Sequence, residues 1–555
     1  MTKLPQNFIE KIKLLLSKVI NTNKYFINLT GIDINTYSVD LEKNKNINFG
    51  DFATKFLLQH NLTEKQIDKY SKIYIKKLNK KTKYFSKVEF IKPGFINLTL
   101  NTDFLNSSLK DTIVKKNDFG KRKKNNLFFN LEFVSANPTG LMHLGHARNA
   151  AYGDTLVNIW KTCGIAVNKE YYINDAGNQI DNLGQAVFIR YQQEFGKSVE
   201  LPEDSYHGAE IIDVAKKIKE EYGDKYLNKK EMDKETKTFF NDFSLKYMLN
   251  IIKQDLKTFG VEMDIWSSER DVYKFIPNIL ERLKTYIYKQ DDATFLRTTD
   301  FKDDKDRVLI KSDGSYTYFT PDIAYTDIKM SRGYNKIFMI LGSDHNSYVA
   351  RLKIAAEMLG YNPDKFHIFL QQIIKLTKNG AEFKMSKRSG NSLTIQDMLE
   401  TIGKDASRWF LVSTTLDTHL NIDVDKVTSK NNDNPVYYVQ YAHARISQLL
   451  EKNKVTCIIV KKYDLLIKPE ERELIMQIAL YPHVIRNVSV NYEVHKLCNY
   501  LYQLARLYHN YYSNHKVNDA SNQQLSNQRY TLSFCVKQVI NNGLRILGIE
   551  PCEKM

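Results

Sequence analysis

The sequence predicts an α/β protein, in which a Rossmann-type, doubly wound central domain follows an α+β N-terminal domain and precedes an all-α C-terminal domain. Three patterns in the 555 residues lead to this prediction. LFFNLEFV at 127–134 is typical of a buried strand, and a loop, a helical segment and the strand end YYINDAG at 171–177 follow it. Strand patterns return at DRVLIKSDGSYTYFT and KIFMILGSDH, and FHIFLQQIIKLT is a further apolar segment. Beyond about residue 433 only helical spacing remains.

We predict three domains, over residues 1–115, 116–430 and 431–555. The first opens with an amphipathic helix pattern, and VEFIKPGFINLTLN at 88–101 predicts two strands around a Pro-Gly turn. The basic stretch KKNDFGKRKKNN at 115–126 has no apolar periodicity and is typical of a linker. Charged segments such as GAEIIDVAKKIKEEYG indicate a helical insertion near 190–290. Four helical segments in the last part are typical of an all-α domain.

Composition narrows the possible classes of function. Hydrophobic residues make up 42% of the chain, so a sizeable core is expected. Neither a membrane-spanning run nor a signal peptide is recognisable, which favours a cytoplasmic protein. The five cysteines contain no C-x-x-C pair, which argues against a disulfide framework and against structural zinc. The net charge of +17 indicates a polyanionic partner such as nucleic acid, although an AT-rich genome would also enrich lysine.

The loop ANPTGLMHLGH at 136–146 leads into the predicted helix after the first strand. A helix N-terminus presents unpaired N–H groups, which suit phosphate, and Gly145 would let a ligand approach the backbone. His143 and His146 lie three residues apart and can point the same way, so they could stabilise a triphosphate under attack. Metal ligation and packed structural histidines remain alternatives for the two imidazoles.

A second loop, FKMSKRSGNSLT at 383–394, carries Lys384 and Lys387 on either side of Met385 and Ser386. Two ammonium groups on a glycine-containing loop suit a mobile clamp on a leaving pyrophosphate. An ordinary solvated basic loop is the alternative.

Together, HLGH and KMSK resemble the HIGH and KMSKS motifs of class I aminoacyl-tRNA synthetases, with Leu144 in place of Ile and Arg388 in place of Ser. The resemblance to the bacterial arginyl-tRNA synthetase family is closer and covers nearly the whole chain. It includes EFVSANPTGLMHLGHARNAAYGD, YYINDAGNQIDNLG, GSYTYFTPDIAY and YYVQYAHAR. A synthetase for another amino acid, a non-catalytic tRNA-binding paralogue and a smaller nucleotidylyltransferase are the rival interpretations.

This resemblance implies an arginine–tRNA ligase that forms arginyl-adenylate from L-arginine and ATP and then charges tRNA(Arg). It implies a monomer, with Mg²⁺ accompanying ATP and no zinc, and a first step that requires bound tRNA. The catalytic residues implied are His143, His146, Lys384 and Lys387. The ATP-binding residues implied are Pro138, Gly140, His143, Leu144, Gly145, His146, Lys384, Met385, Ser386 and Lys387.

The resemblance also implies the arginine-binding residues. In that family a Tyr and an Asp four residues later bind the substrate side chain, and Tyr318 and Asp322 match them; a carboxylate suits a guanidinium. A helix N-cap is the alternative role for Asp322. The further residues implied are Glu132, Ser135, Asn137, His143, Asp344 and His345. In the C-terminal domain, NYLYQLARLYHNYY interleaves aromatic and basic residues, and we predict tRNA contacts from Tyr502, Arg506 and Tyr508. A tyrosine-rich helix core is the alternative there.

Overall fold

The computed structural model describes residues 7–30, 39–44, 46–229, 232–343, 346–383, 393–455, 460 and 462–555. The N-terminal part packs helices on an antiparallel sheet of order β1-β2-β4-β3. Its elements are α1 (Phe8–Asn21), α2 (Lys24–Thr30), β1 (Glu42–Lys43), β2 (Phe52–Thr54), α3 (Glu64–Asn79), β3 (Phe85–Ile91), β4 (Phe95–Leu100) and α4 (Thr102–Lys115). The predicted Pro-Gly turn joins β3 to β4 in a hairpin.

The central part is built on a five-stranded, wholly parallel sheet. Its first elements are β5 (Phe128–Glu132), α5 (Leu144–Thr162), β6 (Ala166–Ile173), α6 (Asn178–Glu194), α7 (Ala209–Tyr222), α8 (Lys234–Phe259), β7 (Ile265–Ser268), α9 (Glu269–Tyr273) and α10 (Ile276–Arg282). The chain continues through β8 (Ile287–Gln290), β9 (Ala293–Leu296), β10 (Arg307–Ile310), α11 (Phe319–Ser331), β11 (Lys336–Gly342), α12 (Asn346–Met358) and β12 (Phe366–Gln371). Helices α6, α7 and α8 pack around a core of their own between β6 and β7.

The strand order β12-β11-β5-β6-β7 confirms the predicted doubly wound α/β class. The chain runs outward from β5 to β7 and then crosses back to place β11 on the other side of β5. The order therefore reverses between β5 and β11. In open α/β sheets, ligands bind outside the carboxyl ends of the strands at such a switch point.

The segment FHIFLQQIIKLT forms two strands of different sheets rather than one. β12 ends at Gln371 on the edge of the parallel sheet, and Ile373, at 61% exposure, lies in the turn that follows. The remaining elements of this part are β13 (Ile374–Lys378), β14 (Ala381–Glu382), α13 (Ile395–Thr401), α14 (Lys404–Leu411), β15 (Leu420–Asp423) and α15 (Val424–Thr428). β13 lies between β14 and β15 in a small separate sheet.

Four long helices form the C-terminal part: α16 (Pro435–Lys452), α17 (Pro469–Asn491), α18 (His495–Asn514) and α19 (Gln523–Ile546). One hydrophobic core continues from α1 through the parallel sheet into this bundle. The Trp160 indole of α5 donates to the carbonyl of Ser489 at 3.0 Å, and Arg472 pairs with Asp51 of the N-terminal part at 2.6 Å. Among the described helices, none is both long and apolar enough to cross a membrane.

Candidate active site

The two histidines of the first loop are held by the helix that they introduce. His143 is the N-cap of α5, and its Nδ1 accepts the Gly145 N–H at 3.0 Å. The Nδ1 of His146 accepts the His143 N–H at 3.2 Å, and the two rings lie 3.9 Å apart, centroid to centroid. Because each Nδ1 accepts a backbone proton, a neutral ring carries its own proton on Nε2. Each Nε2 is therefore available as a donor.

Desolvation keeps both imidazoles neutral near pH 7. Burial lowers the pKa of His143, and burial together with the charge of His143 lowers the pKa of His146 to about 3. Gly145 is required by space, since a Cβ there would lie 2.9 Å from His143 Cε1. Its carbonyl accepts from Gln371 Nε2 at 2.9 Å, which ties the first turn of α5 to the end of β12. Pro138 and Gly140 lie in the same loop, and Pro138 is buried.

The ends of the second loop meet the first loop. Leu144 N donates to Leu393 O at 3.2 Å, and Ile395 N donates to Met142 O at 2.9 Å. Phe383 and Leu393, on either side of 384–392, both line a cleft of about 490 Å³ with His143, Leu144 and Gly145. Lys384, Met385, Ser386 and Lys387 themselves lie outside the described residues. The first motif and the residues that flank the second, more than 200 positions apart in the chain, therefore line one cleft at the switch point.

The residues predicted for the α-amino and carboxylate ends of arginine lie in the loop after β5. Ser135 adopts a left-handed φ of 38°, and its hydroxyl accepts from Tyr172 N at 3.0 Å and donates to Glu132 at 3.1 Å. Asn137 is exposed and accepts from the Asn174 side chain at 2.7 Å. Glu132 is buried in an ion pair with Lys329. Its direct contact with arginine stays a prediction.

A second group of polar side chains surrounds Tyr172 on β6. Burial, then the charges of Glu269 and Asp322, raise the pKa of Tyr172 and also that of Tyr273, so the charges of both carboxylates act on both phenols. Tyr318 lies near Tyr273 and is 87% exposed.

The structure excludes the alternative role of Asp322 as the N-cap of a helix. Helix α11 begins at Phe319 with Tyr318 as its N-cap, so Asp322 lies within the first turn and the N-cap interpretation is wrong. Asp344 and His345, predicted nearby, lie outside the described residues, although Gly342 and Ser343 just before them line the cleft.

Sequence reasoning missed Glu269, the first residue of α9. Burial and the charge of Asp175 raise the pKa of Glu269 to about 7. A half-buried carboxyl with a perturbed pKa beside a second carboxyl is typical of a binding site for a cation. The surrounding sequence SSERDVY contains no recognisable motif, so Glu269 can be identified only from its position in the structure.

The residues predicted to contact tRNA do not share one face of α18. Tyr508 is fully buried, and its hydroxyl donates to Ser533 at 3.1 Å, so its predicted RNA contact is corrected. Six residues at 100° each place it far around the helix from Tyr502. Tyr502 is 38% exposed and packs against Tyr438 of α16, with ring centroids 5.4 Å apart. The positive charge of Arg506 also reaches Tyr438.

Three domain families match the chain in order. "Arginyl tRNA synthetase N terminal domain" matches residues 6–100, "tRNA synthetases class I (R), catalytic domain" matches 108–449, and "DALR anticodon binding domain" matches 439–555. The parallel sheet and the cleft at its switch point thus belong to a class I aminoacyl-tRNA synthetase domain.

Comparison with individual proteins shows to which family of aminoacyl-tRNA synthetases the chain belongs. The arginine–tRNA ligase of Malacoplasma penetrans is 46% identical over 541 residues, with 94% of each chain covered. That of Listeria welshimeri is 40% identical over 569 residues, with all of each chain covered. The structure of Thermus thermophilus arginyl-tRNA synthetase superimposes with a TM-score of 0.74 over 98% of this chain and 99% of that one, and at 17% identity it supports the fold. The chain belongs to the arginine–tRNA ligase family.

Proposed function

We propose that this chain activates L-arginine with ATP, releasing pyrophosphate, and transfers the arginyl group to the 3′ end of tRNA(Arg). One observation carries the proposal: residues 142–144 pair with 393–395 at a cleft beside the switch point of the sheet. A cleft lined by the first motif and by the residues that flank the second can hold one triphosphate. The reaction needs no side-chain nucleophile, since the carboxylate of arginine attacks the α-phosphate itself. Catalysis is then positioning and stabilisation of charge.

His143 and His146 are proposed to donate Nε2–H bonds to the phosphates. Neutral donors with fixed tautomers suit this role, since the backbone already occupies each Nδ1. The N-terminal end of α5 lies at the same cleft, and its helix dipole adds positive potential. Lys384 and Lys387 are proposed to neutralise the leaving pyrophosphate. The position of Phe383 and Leu393 on the cleft wall supports this role.

Arginine selection is proposed to rest on Asp322, Glu269 and Tyr318. Two carboxylates suit the fork of a guanidinium, whereas the ammonium of lysine lacks that planar geometry. Because an unpaired carboxylate in a desolvated site is unfavourable, a neutral analogue such as citrulline would bind poorly. Ser135 and Asn137 are proposed to hold the α-amino and carboxylate groups.

Mg²⁺ is proposed to enter with ATP. Among the described residues, no three His, Cys, Asp or Glu side chains are grouped so that they could hold a metal. The phosphates of ATP are therefore the main ligands proposed for the ion, with water completing its shell. When bound, it would supply positive charge to the phosphates.

The tRNA is proposed to contact the helical domain through the exposed surface around Tyr502 and Arg506. Tyr437 and Tyr441 of α16 stack at 6.2 Å, and Arg445 lies 4.5 Å over the Tyr441 ring. Aromatic rings beside arginines suit unstacked anticodon bases and phosphates. We further propose a cytoplasmic monomer in which adenylate formation requires bound tRNA.

ATP–pyrophosphate exchange tests the proposal. We expect exchange with arginine, little with the other amino acids, and strong stimulation by tRNA(Arg). Equal rates with and without tRNA would remove the tRNA requirement alone. Exchange with a different amino acid would contradict the arginine assignment. Binding of tRNA without any exchange would indicate the non-catalytic paralogue. His146→Ala serves as the inactive control.

A further inference from the structure

Helix α14 connects the ATP cleft with the C-terminal tail, which we define as residues 547–555. It follows α13, whose first residue, Ile395, is bonded to the loop of the two histidines. Asp405 and Arg408 lie three positions apart and so project from the same side of α14. Both side chains bind the backbone of the tail.

Arg408 is fully buried, and each of its three guanidinium nitrogens makes one contact with a different element. Nη2 pairs with Asp154 at 2.7 Å, Nε donates to the carbonyl of Leu547 at 2.5 Å, and Nη1 donates to the carbonyl of Phe259 at 3.3 Å. Asp154 belongs to α5, the helix that begins at the two histidines. Arg408 therefore joins that helix to α14, to the end of α8 and to the tail.

The tail is packed directly against this guanidinium. Gly548 has a left-handed φ of 70°, and a Cβ there would lie 2.4 Å from Arg408 Cζ. Next to it, Asp405 accepts from the Gln440 side chain at 2.9 Å and from the Glu550 N–H at 3.4 Å. In these contacts the tail contributes backbone groups. The contacts therefore depend on the path of the tail's backbone and not on its side chains.

We propose that the tail and Arg408 form a brace that aligns residues 142–146 with residues 393–395 at the ATP cleft, with Arg408 as a positioning residue for ATP. The inference rests on the proposed function. Residues 142–146 lead into α5, and residues 393–395 lead into α13 and α14. Arg408 of α14 is paired with Asp154 of α5. A change in its geometry would shift residues 142–146 relative to 393–395. Lysine keeps the charge but cannot hold three separate acceptors in one plane.

The test uses the full-length protein in ATP–pyrophosphate exchange, with saturating arginine and tRNA(Arg) and varied ATP. Arg408→Lys and Gly548→Ala are each expected to lower kcat/KM for ATP by about 3- to 30-fold, chiefly through KM, with the arginine KM changed less than about twofold. Glu550→Gln is the matched control. Its side chain is 76% exposed, and the substitution leaves its backbone contact with Asp405 in place. It is expected to behave as the wild type.

A purely structural role would give a different result. Loss of folded molecules lowers the apparent kcat and leaves the KM for ATP unchanged, so active-site titration and thermal unfolding accompany the kinetics. If both variants only lower Tm and keep the wild-type KM for ATP, the brace is overturned. Gly548→Ala keeps the test decisive should Arg408→Lys fail to fold. A wild type that forms no arginyl-adenylate would instead overturn the proposed function.

Discussion

The proposed contact between Glu269 and arginine predicts that the affinity for arginine depends on pH. The pKa of the Glu269 carboxyl is raised to about 7 in the free protein, so the group binds a proton there more tightly than an ordinary glutamate does. A guanidinium beside it favours the ionised form, and binding of arginine must then release that proton. About one molecule in ten has Glu269 ionised at pH 6, and about nine in ten at pH 8. The Kd for arginine is therefore expected to fall about tenfold from pH 6 to pH 8.

Isothermal titration calorimetry at pH 6, 7 and 8 measures this dependence at constant ionic strength. In buffers of different ionisation enthalpy at pH 7, we expect release of about half a proton per arginine bound. Neighbouring groups do not produce the same profile. Burial lowers the pKa of His143 below its usual 6.5, and the pKa values of Tyr172 and Tyr273 are raised, so these groups keep one form across most of this range.

Glu269→Gln is expected to abolish both the pH dependence and the proton release while it weakens binding at pH 8. Asp271→Asn is the matched control, because that carboxylate is on the same short helix but is 65% exposed and paired with Lys274. It should retain the wild-type profile. An arginine Kd that differs less than about twofold between pH 6 and pH 8 would refute the reasoning.

Three further substitutions test other parts of the site. Asp322→Asn removes a charge from the arginine pocket and is expected to raise the arginine KM by about 10- to 100-fold. The KM for ATP in exchange assays should stay unchanged, and an arginine KM within threefold of wild type would contradict the assignment. Gly145→Ala places a Cβ 2.9 Å from His143 Cε1, and we expect kcat for adenylate formation to fall about 100-fold. An unchanged kcat would show that the His143 ring can shift without affecting adenylate formation. Tyr502→Ala is expected to weaken tRNA binding by about 1–3 kcal/mol in filter binding. Tyr508→Phe should leave that affinity intact and lower the free energy of unfolding by about 0.5–1.5 kcal/mol in urea; the reverse outcome would restore the original prediction for α18.

Local sequence patterns were sufficient to predict the fold class, because the segments that carry those patterns are short. The apolar run 127–134 contains β5, and the Pro-Gly turn at 93–94 joins β3 to β4, as their sequences predict. The division of FHIFLQQIIKLT between two sheets could not be predicted. Both halves are apolar, and only tertiary contacts, such as Gln372 N to Leu416 O at 2.9 Å, place the turn between them.

In the same way, some residues of the candidate site could be predicted from the sequence and others could not. The two histidines were predictable because a loop and a helix start carry them in one short segment. Glu269 was not, because its raised pKa arises from burial and from Asp175, which lies more than 90 positions earlier in the chain. Tyr508 was misplaced because its spacing from Tyr502 and Arg506 was judged too loosely to fit one face of the helix. Helical periodicity, applied strictly, would have separated it from Tyr502.

One buried network of contacts links the proposed ligands for the two ends of the substrate. Lys329, two turns beyond Asp322 on α11, is paired with Glu132, and the other oxygen of Glu132 accepts from the Ser135 hydroxyl at 3.1 Å. Breaking this buried pair would leave an uncompensated charge, so the position of α11 against the sheet is fixed. The proposed ligands for the two ends of arginine, Ser135 and Asp322, are therefore connected through Glu132 of β5 and Lys329 of α11. If Ser135 and Asp322 hold the two ends of arginine, a side chain one methylene longer or shorter is expected to bind more weakly, which would add a second basis for selectivity besides charge.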